Sequence, residues 1–276
     1  IPYPAWDLIP MNEYLDRKLG LATMQGRSLP MLASRGCPFE CTFCSNKDMW
    51  TPRWFPRDPE EILDEFEFFN KQYQLSDIQF FDLTAIVKKD WIIRFSKEIK
   101  RRKLEITWQL PVGTRSEAVD REVARALVSS GCFTMGFAPE SGSPKILKRI
   151  KKQVNLKNMK KSMRECVEEG LNVKSNIMLG FPEENHGDVW QTLLFILQMS
   201  WIGVHDVSVY PFSPYPGTPL FEELRDSGQI EKLYSDEYYT SLSYVEFSAM
   251  KSYSKHYNKF NLRCYQFLGY IIFYCT

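Results

Sequence analysis

Three of the chain's seven cysteines fall within eight positions, Cys37, Cys41 and Cys44 of the stretch SRGCPFECTFCSN (residues 34–46). Gaps of three and two residues bring all three sulfurs around one small site. Three thiolates suit a soft or borderline metal, either zinc or an iron–sulfur cluster. Two blander readings compete, a zinc site short of one ligand and plain buried cysteines. Zinc would want another Cys or His nearby, and the nearest histidine in sequence is His186. Buried cysteines are common singly but rarely gather in this way. A cubane held by three cysteines has a fourth iron open, as a catalytic zinc keeps an open position that a structural zinc lacks. An open iron can bind a substrate or cofactor and pass it an electron.

The elements that must hold such a loop are legible as an alternation of short apolar runs and amphipathic stretches. Strand-like runs fall at 29–36, 77–82, 105–112, 133–140, 172–180 and 205–214. Helical stretches lie between them at 58–73, 90–102, 117–130, 156–169 and 187–199, and Ser143 followed by Pro144 marks a further start. This spacing implies βαβ units and a parallel sheet. Six units make a partial barrel or an open doubly wound sheet, and periodicity alone does not separate the two. The cysteine loop directly follows the first strand, and parallel α/β folds place ligands at the carboxyl ends of their strands. Asp82, Arg115, Glu140, Ser141, Glu183 and Glu184 fall at or after later strand ends, on the same face if the register is right.

The chain has 276 residues, enough for one α/β barrel. Its 35 Lys and Arg nearly cancel its 34 Asp and Glu, so no global field steers it to nucleic acid or anionic lipid. The run KRIKK (148–152) reads as a solvated helix face. The first residues lack the pattern of a signal peptide, and the apolar FLGYIIFYCT at 267–276 is too short to span a bilayer. That tail reads as a packing element cut short, and the absence of an initial Met suggests part of a longer polypeptide. An odd number of cysteines without a framework points to a reducing cytoplasm. Trp50 and Trp54, just after the cysteines, are candidates for lining an apolar substrate cavity, while the other tryptophans read as core.

Cys-x3-Cys-x2-Cys with Phe43 before the last cysteine, placed after a first strand, resembles the radical S-adenosylmethionine (SAM) superfamily. The resemblance extends over about residues 29–225, through GFAPESGS, IMLGFPEEN and PFSPYPGTPLFEEL. Their flavour is that of the cobalamin-associated branch, which includes anaerobic porphyrin cyclases and hopanoid and antibiotic methylases. It implies an α/β fold, a partial (β/α)6 TIM-like barrel with parallel strands and an irregular, α-rich C-terminal segment. The expected division is an N-terminal linker (1–28), a core barrel (29–225) and a truncated C-terminal extension (226–276).

The implied cofactors are a [4Fe-4S] cluster on Cys37, Cys41 and Cys44, SAM, and cobalamin if an upstream domain exists. Reductive cleavage of SAM to a 5′-deoxyadenosyl radical would abstract hydrogen from an unactivated C–H bond, for methylation, cyclisation or oxidation. Glu140 and Ser141 become candidates for ribose or methionyl contacts, with Gly142 allowing close approach. Asp82 is a candidate for the methionyl amine, although FDLTA departs from the family's usual paired-acid segment. Arg115 could pair with the carboxylate or cap a sheet edge, and Phe43 and Tyr210 are adenine candidates or core aromatics. The expected partners are a small, apolar substrate and a one-electron reductant such as flavodoxin or ferredoxin, with no nucleic acid and no membrane span. A non-catalytic zinc or iron–sulfur module and a methylthiotransferase-like enzyme remain alternatives. The latter predicts further clustered cysteines, which are not evident.

Overall fold

The computed structural model describes residues 2–20, 24–84, 86–230, 235–242 and 251–276. Parts of the expected C-terminal extension, 231–234 and 243–250, lie outside the described residues. Six strands form one sheet: β1 (Ser28–Met31), β2 (Asp77–Phe80), β3 (Thr107–Thr114), β4 (Cys132–Glu140), β5 (Asn172–Leu179) and β6 (Asp206–Pro211). Each pairs in parallel with the next, in the order β1-β2-β3-β4-β5-β6. A doubly wound sheet reverses its strand order at a switch point. This sheet never reverses, so the partial barrel is the alternative the topology selects, with β1 and β6 as its edges.

The connecting helices are α1 (Pro59–Tyr73), α2 (Lys89–Arg102), α3 (Arg121–Ser129), α4 (Pro144–Arg149), α5 (Leu156–Glu168) and α6 (His186–Ile202). Their starts are written in the sequence. Asp58, Asp120, Ser143, Asn155 and Asn185 each accept a hydrogen bond from a first-turn backbone N–H, which satisfies a donor the helix cannot. α3 begins four residues later than the expected 117, with Asp120 as its cap. Phe66, Phe80, Phe95 and Trp108 fill the main core where α1 and α2 meet the sheet.

At the amino end of the strands, Asp77 accepts hydrogen bonds from Ser28 Oγ (2.5 Å) and Thr107 Oγ1 (2.8 Å), tying β1, β2 and β3 together. The residues expected as a linker pack on the body, since Met11 and Leu15 are buried in the main core. Two further helices, α7 (Pro219–Asp226) and α8 (Asp236–Ser241), follow β6, and α9 (Lys259–Tyr274) ends the chain. α9 covers the free edge of β6. Gln266 Nε2 donates to Val209 O at 2.8 Å, and Val209 N donates to Tyr270 Oη at 3.1 Å. An edge strand's exposed backbone groups are thereby satisfied by side chains.

Candidate functional site

The expected first strand is in fact two pieces. After Met31 the chain leaves the sheet, and Ser34–Arg35 pair antiparallel with Phe55–Pro56. This ribbon closes the cysteine loop at its base. Gly36 adopts φ +71°, and a Cβ there would meet Arg53 O at 2.1 Å, so only glycine fits. Within the loop, Cys44 N donates to Cys41 O (3.1 Å), and buried Asn46 donates from Nδ2 to Cys37 O (3.1 Å). Thr42 is the loop's anchor. Its N–H donates to Ile150 O at the end of α4, and its carbonyl accepts from Leu220 N at the start of α7, both at 3.0 Å.

The three thiols are free and half-buried. Burial pushes the Cys37 and Cys41 thiols up, and the proximity of Cys44 adds to this, while Lys152 and Arg115 pull both down. Metal ligation requires thiolates, so these two cations offset part of what burial costs. Three thiols on one short loop with two cations beside them are a donor set that fits a three-cysteine iron–sulfur cluster.

Lys152 is where the sequence reading fails. Lys148 and Lys151 of the run KRIKK are solvated as expected, but Lys152 is buried. α4 ends at Arg149 and Lys151 turns the chain through φ +51°, which carries the next side chain inward. Lys152 Nζ donates to Glu140 Oε1 at 2.8 Å, with both side chains at or below 10% exposed. Burial works against the Lys152 charge, but Glu140 and Cys41 outweigh it and raise its pKa. Glu140 itself sits at φ +67° at the end of β4, a conformation that costs a non-glycine residue on the order of 1 kcal/mol or more.

Arg115 joins this group from the end of β3. Its guanidinium lies 3.5 Å from the ring centre of Phe39, which stands between Cys37 and Cys41. It also donates to Glu117 (2.9 Å) and to the Gln153 carbonyl. Arg115, Lys152, Glu140 and the cysteines are thus brought together. Lys152 and Phe39 were missed because their roles depend on a chain reversal and on a contact between distant loops.

Asp82 and Ser141 stand differently. Asp82 is buried, and its oxygens accept from Ala33 N (3.0 Å), Ser34 N and Ser34 Oγ (2.6 Å), which fixes the base of the cysteine loop. Desolvation raises its pKa against those hydrogen bonds. The Ser141 hydroxyl is turned to α6, 3.2 Å from Thr192 Oγ1, and accepts from Ser143 N (3.1 Å). Gly142 is pressed against α6, since a Cβ there would meet Gln191 O at 2.6 Å and Thr192 Cα at 2.7 Å.

Phe43 packs on the apolar cluster under β5 and β6, 6.1 Å from Phe181. Tyr210 is half-buried in β6, level with Met178. Glu183 pairs with Arg149 (2.8 Å). Glu184 is fully buried and accepts from Gly180 N (2.6 Å) and from the Tyr257 hydroxyl, clamping the C-terminal segment. Trp54 makes an edge-on contact with Trp91, and Trp50 lies beside Arg35.

An open parallel barrel with a three-cysteine loop at its carboxyl rim and two buried cations beside it defines a protein equipped to hold a thiolate-bound metal centre over the sheet. The chain belongs to the Radical SAM superfamily, whose model matches residues 31–196. Membership implies a [4Fe-4S] cluster and SAM. The chain is 31% identical over 225 residues to an uncharacterized methyltransferase of Pyrococcus horikoshii, covering 80% of this chain and 46% of that protein. It is 25% identical over 230 residues to an anaerobic magnesium-protoporphyrin IX monomethyl ester cyclase of Cereibacter sphaeroides, covering 82% and 36%. The cobalamin-dependent SAM radical enzyme OxsB, solved with aqua-cobalamin bound, superposes with a TM-score of 0.66 at 17% identity over 84% of this chain and 38% of that one. At that identity the likeness shows the shared fold. The chain spans less than half the length of each of these relatives.

Proposed function

We propose that this chain is the radical-generating part of an enzyme that methylates, cyclises or oxidises a small molecule at an unactivated C–H bond. The observation that carries the proposal is the loop of three half-buried thiols facing two buried cations, Lys152 and Arg115. Cys37, Cys41 and Cys44 would hold a [4Fe-4S] cluster, which with bound SAM would supply one-electron cleavage of the sulfonium to a 5′-deoxyadenosyl radical. The rest is positioning and electrostatics, which is what a protein contributes around such a cofactor.

Lys152 and Arg115 compensate the negative charge of the thiolates and of the methionyl carboxylate. Glu140, held by Lys152, accepts from the methionyl amine or a ribose hydroxyl. Phe43 and Tyr210 flank the adenine. Asp82 and Ser141 serve by fixing the loop and α6 rather than by touching SAM. Relatives named as methyltransferases and a cyclase support this range of outcomes. Cobalamin enters as a second cofactor if the whole polypeptide carries a domain for it; no Asp-x-His-x-x-Gly motif occurs in residues 1–276. A flavodoxin or ferredoxin in the cytoplasm is the proposed electron donor. Among the described residues no helix is long and apolar enough to cross a membrane.

Anaerobic reconstitution tests the proposal. It expects about four irons per chain and 5′-deoxyadenosine from SAM under reduction, with S-adenosylhomocysteine as well if methyl transfer occurs. Stoichiometric zinc with no turnover of SAM would overturn it.

A further inference from the structure

α6 and α9 are each apolar on two sides. The buried side of α9 carries Leu262, Gln266, Gly269 and Phe273. Its outer side carries Phe260, Cys264, Phe267, Ile271 and Tyr274, all exposed, at spacings of four, three, four and three. On α6 the outer residues are Trp190, Leu194, Leu197 and Trp201, again at four, three and four. Such spacing is that of a seam made to receive another helix. The two helices lie side by side in the same direction, joined by His186 Nδ1 with the Tyr265 hydroxyl near their starts and by Ser200 Oγ with Thr276 Oγ1 (3.0 Å) at their ends. Helices apolar all round belong in an interior.

We propose that this face is where two copies of the chain associate, the paired helices of one copy meeting those of the other as a four-helix layer. Three observations favour a second copy. The exposed large side chains on the two helices, apart from half-buried Leu197, are each 51–72% exposed. At about 200 Å² per large side chain they amount to roughly 800 Å², one side of a standard interface. Residues 189–202 and 264–274 contain no charged side chain, Lys259 and Arg263 flanking only the Phe260 end, so the central stretch meets its own two-fold mate without repulsion. Cations stand only at the two ends of the face, Lys157, Lys160, Lys161 and Arg164 near Trp201 and Lys259 and Arg263 near Phe260, and none lies along the stretch between them, where an interfacial helix would carry Lys and Arg beside its apolar face.

Sedimentation velocity on the anaerobically purified, cluster-loaded protein tests this across a wide concentration range. The expected result is a reversible dimer. Leu194→Lys combined with Phe267→Lys should weaken it at least about 30-fold, with unchanged circular dichroism and iron content, while Phe267→Leu should retain it. Cys264 lies in the seam, so its alkylation, read by mass spectrometry, should be slow in the dimer and fast on dilution; this holds for the wild-type chain whatever the variants do. A monomer at every concentration overturns the proposal. So does a monomer that binds vesicles of phosphatidylserine and phosphatidylcholine, a dimer that survives the double lysine variant, or Cys264 alkylation that is equally fast at all concentrations.

Discussion

Replacing Lys152 with Met separates what the Lys152–Glu140 pair does for the fold from what it does for the cofactor. Methionine keeps the length of the stem but removes the charge, leaving the Glu140 carboxylate buried beside the cysteines. Both side chains are at or below 10% exposed, so solvent screens little of the loss. Removing one partner of such a pair costs about 3–5 kcal/mol. For a chain of this size that lowers the melting temperature by about 10 °C. The double variant Lys152→Met with Glu140→Gln removes the stranded charge and should recover most of that loss. SAM binding should behave differently. A lost charge-assisted contact weakens affinity by about 10- to 100-fold, and the double variant should not restore it. The assays are calorimetric melting and equilibrium dialysis of labelled SAM against the cluster-loaded protein. A single variant that melts with the wild type would refute the buried-pair argument. Full SAM affinity in that variant would remove Lys152 from the binding site.

Asp82→Ala strands the Ala33 and Ser34 amides, and at about 1–3 kcal/mol per orphaned buried donor it should lower both stability and iron retention, read by melting and iron analysis. Gly142→Ala drives a methyl into the backbone of α6 at 2.6–2.7 Å and should cost about 1–3 kcal/mol in urea unfolding while SAM affinity per folded molecule stays unchanged. Desolvation pushes the Glu184 carboxyl up to about 7. Its contribution to stability is therefore complete below its ordinary value of 4.5 and is lost as pH rises through about 7, by at most about 1.4 kcal/mol per pH unit. Glu184→Gln should flatten unfolding free energy across that window, and a wild-type curve that rises there would contradict the assignment.

Periodicity and caps made most of the fold legible, because each depends on residues close in sequence. Four of the five helix caps lie within a residue or two of the expected helix starts, and Asp120 lies three residues inside the expected one. Strand order could not be read this way, since a parallel pairing such as Asp77 with Thr107 joins residues thirty apart. The same limit governs the site. Cys37, Cys41 and Cys44 announce themselves by spacing, whereas Lys152 looks like one more solvated lysine until Lys151 turns the chain. Ser141 and Gly142 sit beside Glu140 in sequence, yet their environment is decided by Thr192 and Gln191, some fifty residues away.

That division of labour explains why a rim so rich in polar residues offers few of them to a ligand. Asp82 is spent on the amides of residues 33 and 34, Glu183 on Arg149, and Glu184 on Gly180 and Tyr257. Each ties a loop at the carboxyl end of one strand to a neighbouring segment, and loops that carry a cofactor must be held rigidly for its reactive atoms to be placed. Thr42 extends the same logic to the loop itself. Its N–H and carbonyl bridge α4 and α7, so the segment bearing Cys41 and Cys44 moves only if both helices move. The end of α4 also delivers Lys152 to Glu140. The sulfur ligands and the buried cation therefore share one mechanical frame, and a substitution that loosens α4 should disturb cluster retention and SAM affinity together.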